Sequence, residues 1–198
     1  MFVKVCGLST PESVREAVDA GADAVGFVLT TSPREVSPAT VRSLLPLVPA
    51  SVRAVGVFRH ESAADAVAVA REAGLSWVQL HGHRSAADVK TVHDAGMRLI
   101  RAVTMGASQE EFGDLGEDLF LIDAAVPGSG EAWDYATVRE KGLDGRSWLL
   151  AGGLEPGNVS SAASDAGAWG VDVSSGVESS RGVKDLAKVR AFVQAVKS

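Results

Sequence analysis

One cysteine stands in the chain, and it closes the apolar run MFVKVC; an aspartate closes a second run, LFLID. Cys6 and Asp123 therefore offer a thiol and a carboxyl at the tips of two strand-like segments, the groups an acid/base pair requires. Taken singly, each has an ordinary structural role. A free cysteine commonly serves as a small core hydrophobe, and an aspartate after a strand commonly forms a turn or caps a helix.

Other run ends add to the set. Arg34, in TSPRE, is either a solvated loop charge or a planar fork suited to a carboxylate, with Pro33 stiffening its approach. The turns AGGL, with Gly152 and Gly153, and SSGVE, with Ser174, Ser175 and Gly176, allow close backbone approach and present hydroxyl and N–H donors, as a phosphate needs. His81 ends the run WVQL and is assigned to the ligand pocket. The HGH triplet also invites a metal reading through His81 and His83. Gly82 ends the strand, and no Cys, His or carboxylate lies at ligand spacing around it, so no metal is expected. His60 and His93 read as surface residues.

The elements that must position these groups recur at fixed intervals. Apolar, β-branched runs occupy 1–6, 24–29, 53–58, 77–80, 98–103, 119–123, 148–151 and 170–173, starting roughly every 20–29 residues with mostly helical spacing between them. TPESVREAVDAG shows the pattern: Pro11 opens a helix, Val14, Ala17 and Val18 share a face, and Gly21 stops it. The fifth connection, TMGASQEEFGDLGED, holds three glycines and predicts a short or irregular element. Strand–helix alternation implies parallel strands with right-handed crossovers. Eight units predict an α/β fold, a single (β/α)8 TIM barrel over residues 1–198. An open doubly wound sheet is the alternative, but CGLSTPE lacks the glycine fingerprint that fold usually carries after its first strand.

In such a barrel the C-terminal strand ends build the active site, and the turns after strands seven and eight commonly hold phosphate. Parity adds a contact. If Cys6 faces the axis, Lys4 and Phe2 do too, and Asp172 faces inward whenever Ser174 does. Strand eight neighbours strand one in a closed barrel, so Lys4 and Asp172 are expected to pair there, with Lys4 favouring thiolate at Cys6.

Composition bounds the function. The 198 residues are 46% hydrophobic and 22% charged, and the net charge of −6 gives no basic footprint for nucleic acid. A lone cysteine forms no internal disulfide. The N-terminus has no long apolar signal region and the chain no apolar stretch of about 18 residues, so a cytoplasmic protein without membrane segments is expected.

In order along the chain, KVCGLST, DAVGFVLTTSPREVSP, VGVF, VQLHG, LFLIDAAVPGSGEAWDY, LAGGLEPGNV and GVDVSSGVESSRGVKD resemble the phosphoribosylanthranilate isomerase family of tryptophan biosynthesis. The resemblance implies a cofactor-free Amadori rearrangement of N-(5-phosphoribosyl)anthranilate to 1-(2-carboxyphenylamino)-1-deoxyribulose 5-phosphate. It makes Cys6 the general base and Asp123 the general acid, places the anthranilate carboxylate at Arg34, and places the phosphate at Gly153, Ser175 and Gly176. The expected partner is a small phosphorylated substrate, with the protein a monomer or homodimer. Two departures stand out: Glu35 where an aromatic residue is frequent, and a proline in PGSGEAWDY where a second glycine often stands.

The chemistry sets opposed demands on the pair. An acid working near neutral pH needs a carboxyl raised well above roughly 3.9, whereas the base needs a thiol below its ordinary value of roughly 8.5. Three rival readings remain: an isomerase that also accepts the related histidine-pathway aminoaldose, a non-catalytic barrel binding a phosphorylated metabolite, and a metal-dependent hydrolase around His81 and His83.

Overall fold

The computed structural model describes residues 1–124, 133–143 and 145–198. Eight parallel strands close on themselves in chain order: β1 (Phe2–Cys6), β2 (Ala24–Val28), β3 (Arg53–Phe58), β4 (Trp77–His81), β5 (Arg98–Thr104), β6 (Leu119–Asp123), β7 (Trp148–Leu150) and β8 (Gly170–Val173). The expected runs and the observed strands agree to within a residue or so at their ends. The run PGSGEAWDY lies mainly outside the described residues.

Period-two alternation sorts the side chains. Ala24, Val55, Ile100, Ala102, Leu119, Leu121, Leu149 and Ala151 fill the barrel, with Phe2 and Trp77 packed beneath. The intervening residues, such as Val3, Val5, Phe27, Val78, Leu80 and Ile122, face outward into the core shared with the helices. Burial on both faces is why these strands read as nearly continuous apolar runs.

The helices are α1 (Pro11–Asp19), α2 (Pro38–Leu44), α3 (Ala63–Glu72), α4 (Ala86–Asp94), α5 (Val159–Ala166) and α6 (Leu186–Lys197). The first four start at a hydroxyl, Thr10, Ser37, Ser62 and Ser85, each accepting a backbone N–H of the first turn.

The fifth connection carries only a 3-10 turn, Gln109–Phe112, as its glycines predicted. The sixth also lacks an α-helix among its described residues, with a 3-10 segment at Tyr135–Lys141, which its sequence did not signal. Here Arg101 replaces helix packing. Its side chain is 1% exposed and donates to the carbonyls of Glu111 and Gly113 and to Glu117. Its guanidinium covers one part of Phe120 at 4.6 Å, and that of Arg146 lies over the same ring at 4.5 Å.

After β8 the chain makes a small antiparallel hairpin that was not foreseen, β9 (Glu178–Ser180) and β10 (Val183–Lys184). No helix of the described residues is long and apolar enough to cross a membrane.

Candidate active site

The C-terminal mouth of the barrel holds a cavity of about 270 Å³. Cys6, Arg34, His81, Asp123 and Ser174 all line it, so five of the residues expected from sequence converge. A smaller adjoining cavity of about 60 Å³ is lined by Gly152, Gly153, Ser174 and Ser175 together with Asp123 and Asp172. Gly176 is not among the lining residues. A Cβ there would overlap the carbonyl oxygen of Leu154, so this glycine lets the loop after β8 pass the loop after β7.

Beneath the mouth lies a polar floor. Lys4 is fully buried, and its Nζ donates to Asp172 Oδ1 at 3.0 Å, as parity predicted. Burial alone would lower the Lys4 pKa, but the Asp172 carboxylate, with Cys6 adding to it, raises it above the ordinary lysine value. Burial raises the Asp172 pKa as well, and the Lys4 ammonium offsets part of that rise.

Cys6 departs from expectation. Its burial pushes the thiol pKa up, and the nearby Lys4 ammonium offsets only part of that rise. The resting side chain is therefore a thiol, because desolvation of sulfur outweighs one adjacent cation that Asp172 already neutralises. Facing Cys6 across the β1–β2 ladder is Gly26. A Cβ at Gly26 would sit 2.9 Å from Sγ, so its absence provides the space the thiol occupies.

Asp123 meets its requirement. Burial lifts its pKa to about 6; the Ala124 N–H, donating to Oδ1 at 2.8 Å, pulls it down, and the charge of Asp172 pushes it up. A buried carboxyl with this pKa can hold a proton in the neutral range and give it up in a reaction.

His81 is neutral: burial and then the charges of Lys4, Arg59 and Arg84 depress its pKa to about 3. Its Nε2 lies 2.7 Å from Nε2 of Gln79, a buried residue that also lines the main cavity. His83 points elsewhere, its side chain 81% exposed and 3.5 Å from Glu111. Two histidines with such different surroundings do not share a ligand set, and among the described residues no three His, Cys, Asp or Glu side chains converge.

Arg34 donates from Nε and Nη2 to Glu178 at 2.6 and 3.0 Å, and Lys184 donates to the same carboxylate at 2.9 Å. Burial would raise the Glu178 pKa, yet these hydrogen bonds hold it down to about 2. Sequence reasoning missed Glu178, Lys184, Gln79 and Gly26. Gln79 had a visible signal, a polar residue at an inward position of a buried strand.

Comparison with known proteins agrees with this geometry. The model of the N-(5'phosphoribosyl)anthranilate (PRA) isomerase family matches residues 3–195. The N-(5'-phosphoribosyl)anthranilate isomerase of Paracoccus denitrificans is 40% identical over 205 residues, covering 96% of this chain and 94% of that one. The phosphoribosyl anthranilate isomerase of Thermus thermophilus superposes with a TM-score of 0.91 at 32% identity, covering 100% of this chain and 98% of the other. A further isomerase structure, in complex with reduced 1-(o-carboxyphenylamino)-1-deoxyribulose 5-phosphate, gives a TM-score of 0.86 at 32% identity, again over 100% and 98%. With a family match over nearly its whole length and relatives alike in sequence and fold, the chain belongs to the N-(5'-phosphoribosyl)anthranilate isomerase family.

Proposed function

We propose that the chain catalyses the Amadori rearrangement of N-(5-phosphoribosyl)anthranilate to 1-(2-carboxyphenylamino)-1-deoxyribulose 5-phosphate, with Asp123 as general acid and Cys6 as general base. The observation that carries this reading is that a buried carboxyl of pKa about 6 and the chain's one thiol line the same cavity.

Protonated Asp123 gives its proton to the furanose ring oxygen; the C1–O bond breaks and the anthranilate nitrogen lone pair forms the C=N bond of a protonated Schiff base. The cationic nitrogen acidifies C2. Cys6, as thiolate, takes the C2 proton, and the electron pair of that C–H bond flows toward nitrogen to give the enolamine. Its tautomerisation gives the ketose. General acid/base groups of this kind typically contribute about 10²–10⁴-fold each.

The substrate's two anionic ends have separate supports. Arg34 is the cation for the anthranilate carboxylate, with His81 in the same pocket. Gly152, Gly153, Ser174 and Ser175 line the smaller cavity with backbone and hydroxyl groups, which suits the phosphate. Gly176 contributes by letting that loop close up.

The test is to add purified protein to freshly made phosphoribosylanthranilate and follow anthranilate-ring fluorescence, corrected for spontaneous breakdown. An enzyme-dependent decline that vanishes in Cys6→Ala is expected. No decline with folded protein would point to a barrel that binds a phosphorylated metabolite without turning it over. Supplying the histidine-pathway aminoaldose in parallel tests for a broader substrate range.

A further inference from the structure

The arginine read as the receptor for a substrate carboxylate already holds a carboxylate of its own. A guanidinium has two edges that match a carboxylate: one made by Nε and Nη2, the other by the terminal Nη1 and Nη2. Glu178 occupies the first, with its two oxygens 2.6 Å from Nε and 3.0 Å from Nη2. Among the described residues the terminal edge is left over, and Arg34 lines the main cavity.

Glu178 is itself firmly held. Lys184 Nζ donates to Oε1 at 2.9 Å, and the Gly182 N–H donates to Oε2 at 3.1 Å. Lys184 also donates to the Ser174 carbonyl at 2.8 Å. The side chains of Arg34, Glu178 and Lys184 are only 12%, 5% and 2% exposed, so the three charges interact with little screening. Gly7 lies against the stem of this arginine: a Cβ there would be 2.8 Å from Arg34 Cδ. Two cations and one anion leave a charge of +1, which a second carboxylate brings to zero.

We propose that Glu178 is a positioning residue for substrate recognition: it fixes one edge of Arg34 so that the terminal edge faces the ring carboxylate of the substrate, while Lys184 balances the two carboxylates that share one arginine. This rests on the reading of Arg34 given above. The β9–β10 hairpin is then part of the substrate site, because both Glu178 and Lys184 belong to it.

Two effects of opposite sign separate positioning from simple charge. Neutralising Glu178 raises the local positive potential, which by itself tightens binding of any anion. Releasing Arg34 restores its rotamer freedom and loses the two-point geometry, which weakens binding of a carboxylate alone.

The test uses the full chain and two competitive inhibitors: reduced 1-(o-carboxyphenylamino)-1-deoxyribulose 5-phosphate, and its anilino counterpart without the ring carboxylate. In Glu178→Gln the carboxylated inhibitor is expected to weaken on the order of 10- to 100-fold, the size of one charge-assisted hydrogen bond. The anilino inhibitor, still anionic through its phosphate, keeps or gains affinity, and kcat stays near that of the wild type. Glu178→Asp keeps the charge but is one methylene too short to span Nε and Nη2, so it shows the same selective loss and serves should the glutamine variant not fold. A wild-type preference for the carboxylated inhibitor that survives or grows in both variants overturns the role of Glu178 alone. A wild type with no such preference overturns the reading of Arg34, and this proposal with it.

Discussion

Lys4 and Asp172 are register partners on the two strands that close the barrel, and their side chains meet inside it with Nζ 3.0 Å from Oδ1. Each charge is tolerated only because of the other. Lys4→Met is therefore expected to destabilise the protein by about 3–5 kcal/mol, the cost of stranding a buried charge. The double variant Lys4→Met/Asp172→Asn recovers a large part of that loss. Urea unfolding of the four proteins in the cycle measures the coupling; strictly additive losses would mean that the pair does not interact.

The acid and base share one proton in the neutral range, and in the resting protein it sits on sulfur. Burial raises the Cys6 thiol, whereas Asp123 titrates near 6. The working form has that proton on Asp123 and is a minority state. The kcat/KM is thus expected to rise as pH climbs through about 6, where Asp123 loses its proton, and to fall only above the ordinary thiol range. Because Cys6 is the one cysteine, iodoacetamide labelling reads its titration directly. Slow labelling at pH 7 that accelerates above pH ~8.5 is expected; rapid labelling at neutral pH would show a thiolate at rest and contradict this picture.

Asp123 also trades stability for chemistry. Its folded pKa lies above its unfolded value, so the protein holds extra stability below pH ~3.9 that is lost as pH rises through about 6. At pH 7 the ionised, buried carboxylate costs about 3 kcal/mol, from the shift between 3.8 and about 6. Asp123→Asn removes that cost and can still accept the Ala124 N–H. It should melt higher than wild type at pH 7, show no such gain at pH 4, and lose about 10²–10⁴-fold in turnover. Equal melting temperatures at both pH values would rule out a strained carboxylate.

Gly26 has no chemistry of its own, yet a methyl group there would intrude on Cys6 Sγ at 2.9 Å. Gly26→Ala is expected to cost about 1–3 kcal/mol in stability through overpacking. It should lower kcat by on the order of 10²-fold, because a displaced base no longer reaches C2. A variant with wild-type kcat would mean that the thiol position is not critical.

Much of this site could be read from the chain because barrel geometry converts sequence position into place. Run ends became strand ends, so Cys6, His81 and Asp123 fell at one mouth, and period-two parity was enough to join Lys4 to Asp172. The Arg34–Glu178 pair was hidden for the opposite reason. Its members lie 144 positions apart, and Glu178 sits in a hairpin too short to show a strand pattern. Lys4 does pull the Cys6 pKa down, as the sequence suggested, but the depth of burial that outweighs it could not be read from the chain. Arg101 was read as part of an ordinary strand; that it replaces a helix depends on backbone carbonyls that no residue spacing reveals.

That replacement gives the barrel two different outer layers. β1, carrying Cys6, is braced by α6, which packs in turn against α1. β6, carrying Asp123, instead turns its own Phe120 toward the guanidinium groups of Arg101 and Arg146 and toward Phe112 of the 3-10 turn at Gln109–Phe112. On the proposed roles, the base is mounted on a strand backed by helices and the acid on one flanked by stacked arginines.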